Sequence, residues 1–108
     1  MARWHDAGGA DLAPGQARTL EIDGVMVAVV NLNGDLYAIE DRCTHDGSPL
    51  FGCGLPAQEL IEGDQVICPR HGARFCLRTG AALTPPAYEP TPGYAVRVDA
   101  GRMQVEMP

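Results

Sequence analysis

Apolar and polar positions alternate along this chain over short stretches that turn residues interrupt, and this pattern predicts strands. Between residues 19 and 40, three such stretches are separated by turns at Asp23-Gly24 and at Asn33-Gly34-Asp35. Asn-Gly between two apolar runs is a strong signal for a β-hairpin. The pattern therefore predicts consecutive hairpin strands at residues 19–22, 25–30 and 36–40.

Similar stretches follow along the rest of the chain. A second hairpin is predicted at residues 60–67, with its turn at Gly63-Asp64, and residues 3–5 are expected to form a short edge strand. Thirteen Gly and nine Pro interrupt every apolar run before it reaches helix length. We therefore predict an all-β protein, a small antiparallel barrel or sandwich, because closure hides the edges of short strands. The remaining strands are expected at residues 73–77, 94–98 and 103–107, and residues 50–58 are expected to be irregular.

Length and charge narrow the class of protein. A chain of 108 residues supports one domain, 1–108, with a modest core. Fourteen acidic residues against eight arginines leave a net charge of -6, which argues against a nucleic-acid partner.

No stretch approaches the roughly 20 apolar residues of a membrane span, and the first residues lack the features of a signal peptide. We expect a cytoplasmic protein with no membrane partner, and the small acidic chain suggests a monomer.

Four side chains with metal-binding chemistry lie in two short loops. Cys43-Thr44-His45 and Cys68-Pro69-Arg70-His71 each offer one thiolate and one imidazole, with 22 residues between the two motifs. Cysteines in a chain without an export signal are more often metal ligands than disulfides. Two cysteines and two histidines are also a common zinc set, so a zinc-bound interaction module stays open as an alternative. Zinc sites, however, usually pair cysteines with each other at short spacing.

The order C-x-H followed by C-x2-H, with glycine after the second histidine, resembles the Rieske [2Fe-2S] motif. The resemblance also covers Asp41-Arg42, residues 75–80 and the proline segment at Pro85-Pro86, and so spans nearly the whole chain. It implies a Rieske fold with an inserted cluster-binding subdomain at about residues 41–86, and one [2Fe-2S] cluster as cofactor. The implied ligands are Cys43 and Cys68 on one iron and His45 and His71 on the other.

The ligand set implied by the resemblance suits an electron carrier. The charges of two ferric ions, two sulfides and two thiolates cancel, whereas four thiolates would leave the oxidised cluster negative and oppose an added electron. High-potential members of respiratory complexes have a disulfide between the loops, and serine and tyrosine hydroxyls bonded to the cluster. At those places this chain has Ser48 and Arg70, and Ala73 and Phe75. We therefore predict a low-potential cluster, at about -150 mV.

The chain resembles most the small soluble Rieske ferredoxins of bacterial aromatic-ring-hydroxylating oxygenase systems. This resemblance implies an electron-transfer component with no catalytic residues, a flavin-dependent NAD(P)H reductase as donor and a terminal oxygenase as acceptor. A Rieske subunit of another redox system, such as the small subunit of nitrite reductase, is the alternative. The mononuclear iron site of an oxygenase needs two histidines and a carboxylate. Only His5 lies outside the cluster motif, so this chain cannot build that site.

Two further cysteines have no place in the motif. Cys53 lies between the loops, in a segment that is longer than is usual in the family, and Cys76 follows Phe75. We expect Cys76 to pack beside Phe75 and Cys53 to be a loop thiol. A disulfide between them, or a redox-sensing thiol, stays open as an alternative.

Overall fold

The predicted hairpins form as antiparallel strand pairs joined by two-residue turns. The computed structural model describes residues 3–44, 47–70, 72–85 and 87–107. Ile22 pairs with Val25 and Leu32 pairs with Asp35, so the turns lie at the predicted positions. The described residues form, in chain order, β1 (Arg3–Gly9), β2 (Ala17–Ile22), β3 (Val25–Leu32), β4 (Asp35–Glu40), α1 (Ala57–Leu60), β5 (Ile61–Glu62), β6 (Gln65–Ile67), β7 (Arg74–Cys76), β8 (Gly93–Tyr94), β9 (Val96–Asp99) and β10 (Arg102–Met107).

These strands form three antiparallel sheets. Their strand orders are β1-β10-β9, β2-β3-β4-β8 and β5-β6-β7. The third sheet comes from the part of the chain between β4 and β8, so it is an insertion within the order of the second sheet. The all-β fold predicted from the sequence is confirmed. In the described part of the chain, no helix is long and apolar enough to cross a membrane.

Strand β3 takes part in both hydrophobic cores because it is covered on both faces. Alternate side chains of a strand point to opposite faces of its sheet. Val27 and Val29 contribute to a basal core, and Ala28 and Val30 contribute to a second core, the loop-side core. The basal core also contains Ala7, Ile22, Ala38, Met103, Val105 and Met107. The loop-side core also contains Leu32, Ile39, Cys43, Leu50, Phe51, Leu60, Val66, Cys68, Ala73, Phe75, Leu77 and Ala87.

Three regions differ from the sequence-based prediction. Residues 94–98, expected as one strand, are divided between β8, which pairs with β4, and β9, which pairs with β10. Strand β1 continues to Gly9, beyond the predicted end at residue 5, because its pairing with β10 continues past a bulge to Arg102. Ala57–Leu60 forms one helical turn within a stretch expected to be irregular or extended, and Leu60 is buried. Four residues are too few for helical periodicity to show in a sequence pattern, so this turn could not be distinguished from a loop.

Gly80 holds the chain close to the segment that precedes β8. Its φ is +82°, and a Cβ at this position would lie 1.9 Å from the carbonyl oxygen of Thr91. The N–H of Thr91 donates to the carbonyl of Gly80 at 2.8 Å. Any side chain here would force the two backbones apart.

The substitution Gly80→Ala tests this close approach, with Gly101→Ala as a matched control. Gly101 has a similar φ of +77° but open space around its missing Cβ. We expect Gly101→Ala to lower the free energy of unfolding by about 1 kcal/mol, the cost of a left-handed backbone. Gly80→Ala should cost about 2 kcal/mol more because it adds overpacking. Equal losses for the two variants in denaturant unfolding would contradict this account.

Candidate metal centre

The two cysteines of the motif occupy equivalent places in two loops with the same backbone hydrogen bonds. In the first ligand loop, residues 43–48, the N–H of Cys43 donates to the carbonyl of Ser48 at 2.7 Å, and the N–H of Gly47 donates to the carbonyl of Cys43 at 2.7 Å. The second ligand loop, residues 68–73, has the corresponding bonds from Cys68 to Ala73 at 2.7 Å and from Gly72 to Cys68 at 3.0 Å. Both cysteines are therefore fixed in the same local geometry.

Both cysteine side chains are buried at the loop side of the molecule. Cys43 is 0% exposed and Cys68 is 1% exposed, and both pack in the loop-side core with Leu50, Ala73 and Phe75. Neither forms a disulfide. Thiolates in apolar surroundings are suitable ligands for iron–sulfur clusters. Cys43 and Cys68 thus fit the two thiolate ligands of the predicted site. The other two predicted ligands, His45 and His71, lie outside the described residues.

The segment before β8 is tied to the first ligand loop. The hydroxyl of Thr44 donates to the carbonyl of Glu89 at 2.7 Å, and the hydroxyl of Thr91 donates to the carbonyl of Glu40 at 3.0 Å. Tyr88, which directly precedes the first of these anchors, is 81% exposed. Residues 87–92 therefore lie against the end of β4 and the loop that follows it. Pro86, part of the proline segment predicted to cover the cluster, lies outside the described residues.

A polar contact between residues 48 and 70 joins the two ligand loops. Nη1 of Arg70 donates to the hydroxyl of Ser48 at 3.5 Å. These are the places where high-potential relatives were expected to have a disulfide. Ala73 and Phe75 stand at the places where those relatives were expected to have a serine and a tyrosine. Both are fully buried in the same core as Cys43 and Cys68.

A third loop repeats the backbone geometry of the ligand loops. At residues 76–81, the N–H of Cys76 donates to the carbonyl of Ala81 at 2.9 Å, and the N–H of Gly80 donates to the carbonyl of Cys76 at 2.7 Å. Cys76 is only partly buried, and alternation in β7 directs its side chain away from the face of buried Phe75. The backbone pattern alone does not make a ligand, because the side chain must also enter the loop-side core.

Cys53 is an exposed thiol in the segment between the ligand loops. Its Sγ lies 3.7 Å from the carbonyl oxygen of Leu50. Cys53 and Cys76 are both unbridged, so the structure contains no disulfide between them. The expectation that Cys53 is a loop thiol agrees with this arrangement. The expectation that Cys76 packs beside Phe75 is wrong, because the two side chains lie on opposite faces of β7.

An ion pair lies beside the first ligand loop, formed by Arg42 and Glu40. Nε of Arg42 lies 2.6 Å from a carboxylate oxygen of Glu40. Burial raises the pKa of the nearby Tyr94 hydroxyl above its ordinary value, and the negative charge of Glu40 adds to this shift. Tyr94 is therefore neutral at physiological pH.

One residue of the site was not recognised as functional from the sequence. In the sequence Asp41 belongs only to the resemblance, yet in the structure it is buried and accepts three backbone hydrogen bonds from residues 50–52. The available signal was an aspartate two residues before a ligand. The residues that it contacts lie about ten positions away, and no local pattern predicts such a contact.

Comparisons with known proteins agree with this architecture. The Rieske [2Fe-2S] domain family matches residues 4–95. The 3-phenylpropionate/cinnamic acid dioxygenase ferredoxin subunit of Escherichia coli (strain K12) is 36% identical over 100 residues, which cover 92% of this chain and 88% of that protein.

Solved structures show the same likeness. A chain in the complex of reduced oxygenase and oxidised ferredoxin of carbazole 1,9a-dioxygenase superposes with a TM-score of 0.80 at 31% identity, covering 94% of this chain and 91% of that chain. A putative NADH-dependent nitrite reductase small subunit from Mycobacterium tuberculosis has a TM-score of 0.80 at 27% identity, covering 100% and 97%.

The family match covers most of the chain, and two buried thiols lie in equivalent loops. This chain belongs to the Rieske [2Fe-2S] domain family. Its cofactor is one Rieske-type [2Fe-2S] cluster, which excludes the zinc alternative.

Exposure of the four thiols predicts how they react with iodoacetamide. In the cluster-loaded protein we expect Cys53 to be alkylated first, Cys76 more slowly, and Cys43 and Cys68 not at all, because alkylation needs an accessible thiolate. Intact-mass measurement over time should therefore show two additions, and Cys53→Ser should remove the faster one. Four additions at similar rates, or none, would contradict these assignments.

Proposed function

We propose that this chain is a low-potential Rieske ferredoxin that carries single electrons from a flavin-dependent NAD(P)H reductase to a terminal aromatic-ring-hydroxylating oxygenase. The observation that carries the proposal is the pair of buried cysteines in two loops of equal backbone geometry. We assign Cys43, His45, Cys68 and His71 as the cluster ligands. Residues 41–86 are proposed as the cluster-binding subdomain of a single domain, 1–108.

The surroundings of the ligands support electron exchange at the surface. When bound, the cluster accepts and releases one electron at a time. Cys43 and Cys68 supply thiolates from the buried side, where the loop-side core excludes water. Gly47, Arg70 and Gly72, which lie close in sequence to the two histidines, are exposed. A partner that docks on these loop tips would approach the ligands without a channel through the protein.

The names of the relatives support the proposed partners. The E. coli relative is a ferredoxin subunit of a dioxygenase, and the carbazole 1,9a-dioxygenase structure is a complex of an oxygenase with its ferredoxin. The proposed role is therefore electron transfer and not catalysis. We also propose a cytoplasmic location, and a monomer because the chain is small and acidic. A subunit of a nitrite reductase is the second candidate, because the putative small subunit covers this whole chain with a similar fold.

Reconstitution with purified partners tests the proposed function. NADH oxidation coupled to aromatic product should require all three components: a flavin reductase, this protein and a terminal oxygenase. Cys43→Ser should abolish both the visible absorption of the cluster and product formation. Cys76→Ser, a cysteine in the third loop of the same backbone geometry, should retain both. Coupling to nitrite reduction, with none to any oxygenase, would favour the second candidate instead.

The absence of hydroxyls at positions 73 and 75 predicts the midpoint potential. We expect about -150 mV for the wild type, at the low end of the Rieske range. Ala73→Ser should raise the midpoint by roughly 50–100 mV, because a hydroxyl donor stabilises the more negative, reduced state. The matched control is Ala81→Ser, at the equivalent place of the third loop, and it should leave the midpoint unchanged. A wild-type midpoint above about +100 mV in protein-film voltammetry would refute the low-potential assignment.

A further inference from the structure

Asp41 is a buried carboxylate at the base of the first ligand loop. The residue is only 4% exposed. Its Oδ1 accepts hydrogen bonds from the N–H groups of Leu50 at 3.0 Å and Phe51 at 2.6 Å, and its Oδ2 accepts one from Gly52 at 3.0 Å. A buried carboxylate is costly unless it is hydrogen-bonded, and the same holds for buried amides. The carboxylate and the three amides therefore stabilise each other in one arrangement.

The two ligand loops are held at their bases in different ways. The second ligand loop connects β6 to β7, and the pairing of Ile67 with Arg74 closes it. The first ligand loop follows β4, but residues 49–56 after it form no strand. Asp41 accepts the N–H groups of three successive residues in that segment. Its carboxylate thus closes the base of the first ligand loop, as strand pairing closes the base of the second.

Asp41 is also fixed to the sheet beneath it. Its own N–H donates to the carbonyl of Met26 in β3 at 2.8 Å. A Cβ at Gly52 would lie 2.9 Å from Oδ2, so residue 52 leaves no spare room beside the carboxylate. The backbone N–H of Asp41 thus ties the start of the segment that contains Cys43 to β3, and its carboxylate ties the end of that segment to Asp41 itself.

We propose that Asp41 is a positioning residue for the cluster, which fixes the place of Cys43 relative to Cys68 and holds a negative charge two residues from Cys43. The proposal rests on the proposed assignment of Cys43 as a ligand. Two consequences follow for the loaded protein. Loss of the carboxylate should loosen the first ligand loop and so speed the release of iron. It should also make the midpoint potential more positive, because a nearby negative charge opposes an added electron.

The substitution Asp41→Asn tests this role on the cluster-loaded protein. Asparagine keeps one oxygen for Leu50 and Phe51 but turns an amide toward the N–H of Gly52, which then loses its acceptor. We expect hydrogen exchange at residue 52 to become about tenfold faster, the change expected for one lost charge-assisted hydrogen bond. Iron release to a chelator should also become faster, and the midpoint should rise.

Asp35→Asn is the matched control. It removes the same charge from an exposed position at the other end of β4, roughly 20 Å away for a six-residue strand. This control should leave hydrogen exchange at residue 52, iron release and midpoint unchanged. If Asp41→Asn matched it in iron release and midpoint, the proposal would be overturned. Faster hydrogen exchange with unchanged iron release and midpoint would also overturn it, because Asp41 would then stabilise only residues 50–52.

Gly52→Ala is a second variant in case Asp41→Asn fails to fold. It keeps the carboxylate but pushes on Oδ2, so exchange at residues 50–52 and iron release should both accelerate. Unchanged values would contradict the proposal. Electron transfer by the wild-type protein to its partners is measured separately. Failure of the Asp41 variants therefore leaves the proposed function intact, and failure of wild-type electron transfer leaves the stability comparison of the variants valid.

Discussion

Two cysteine side chains must reach the same buried place from two different parts of the chain, and the rest of the structure depends on this requirement. Each cysteine begins a loop that its own backbone closes, through the N–H of the cysteine and the N–H of the glycine four residues later. These bonds determine local geometry, but they do not place one loop against the other. That placement comes from β3, which is buried on both faces and joins the basal core to the loop-side core.

The third loop shows why geometry and burial are both needed. Residues 76–81 have the same pair of closing hydrogen bonds and also begin with a cysteine, yet Cys76 is partly exposed and outside the core that contains Cys43 and Cys68. The difference arises from strand alternation, because Phe75 takes the inward position in β7. The buried pair can therefore serve a cluster, whereas Cys76 is expected to remain an ordinary thiol.

Much of this architecture could be predicted from the sequence because its signals are local. Two-residue turns and apolar runs lie within a few positions and predict the all-β fold. The spacing of Cys43 and Cys68 from their neighbouring histidines is equally local, and it carries the family resemblance that implies the cofactor. The helical turn Ala57–Leu60 was missed because four residues show no period. The contacts of Asp41 could not be predicted, because its three amide partners come from residues 50–52 and only the folded chain brings these together.

The central claim is that this chain binds its cluster through two cysteines and two histidines, and labelling of histidine nitrogen tests it most directly. The reduced protein, purified from cells fed with 15N-histidine, would be measured by pulsed EPR beside an unlabelled sample. The account predicts strong couplings from two nitrogens that change with the label, and the loss of one of them in His45→Cys or His71→Cys. Couplings that do not respond to the label would contradict the ligand set.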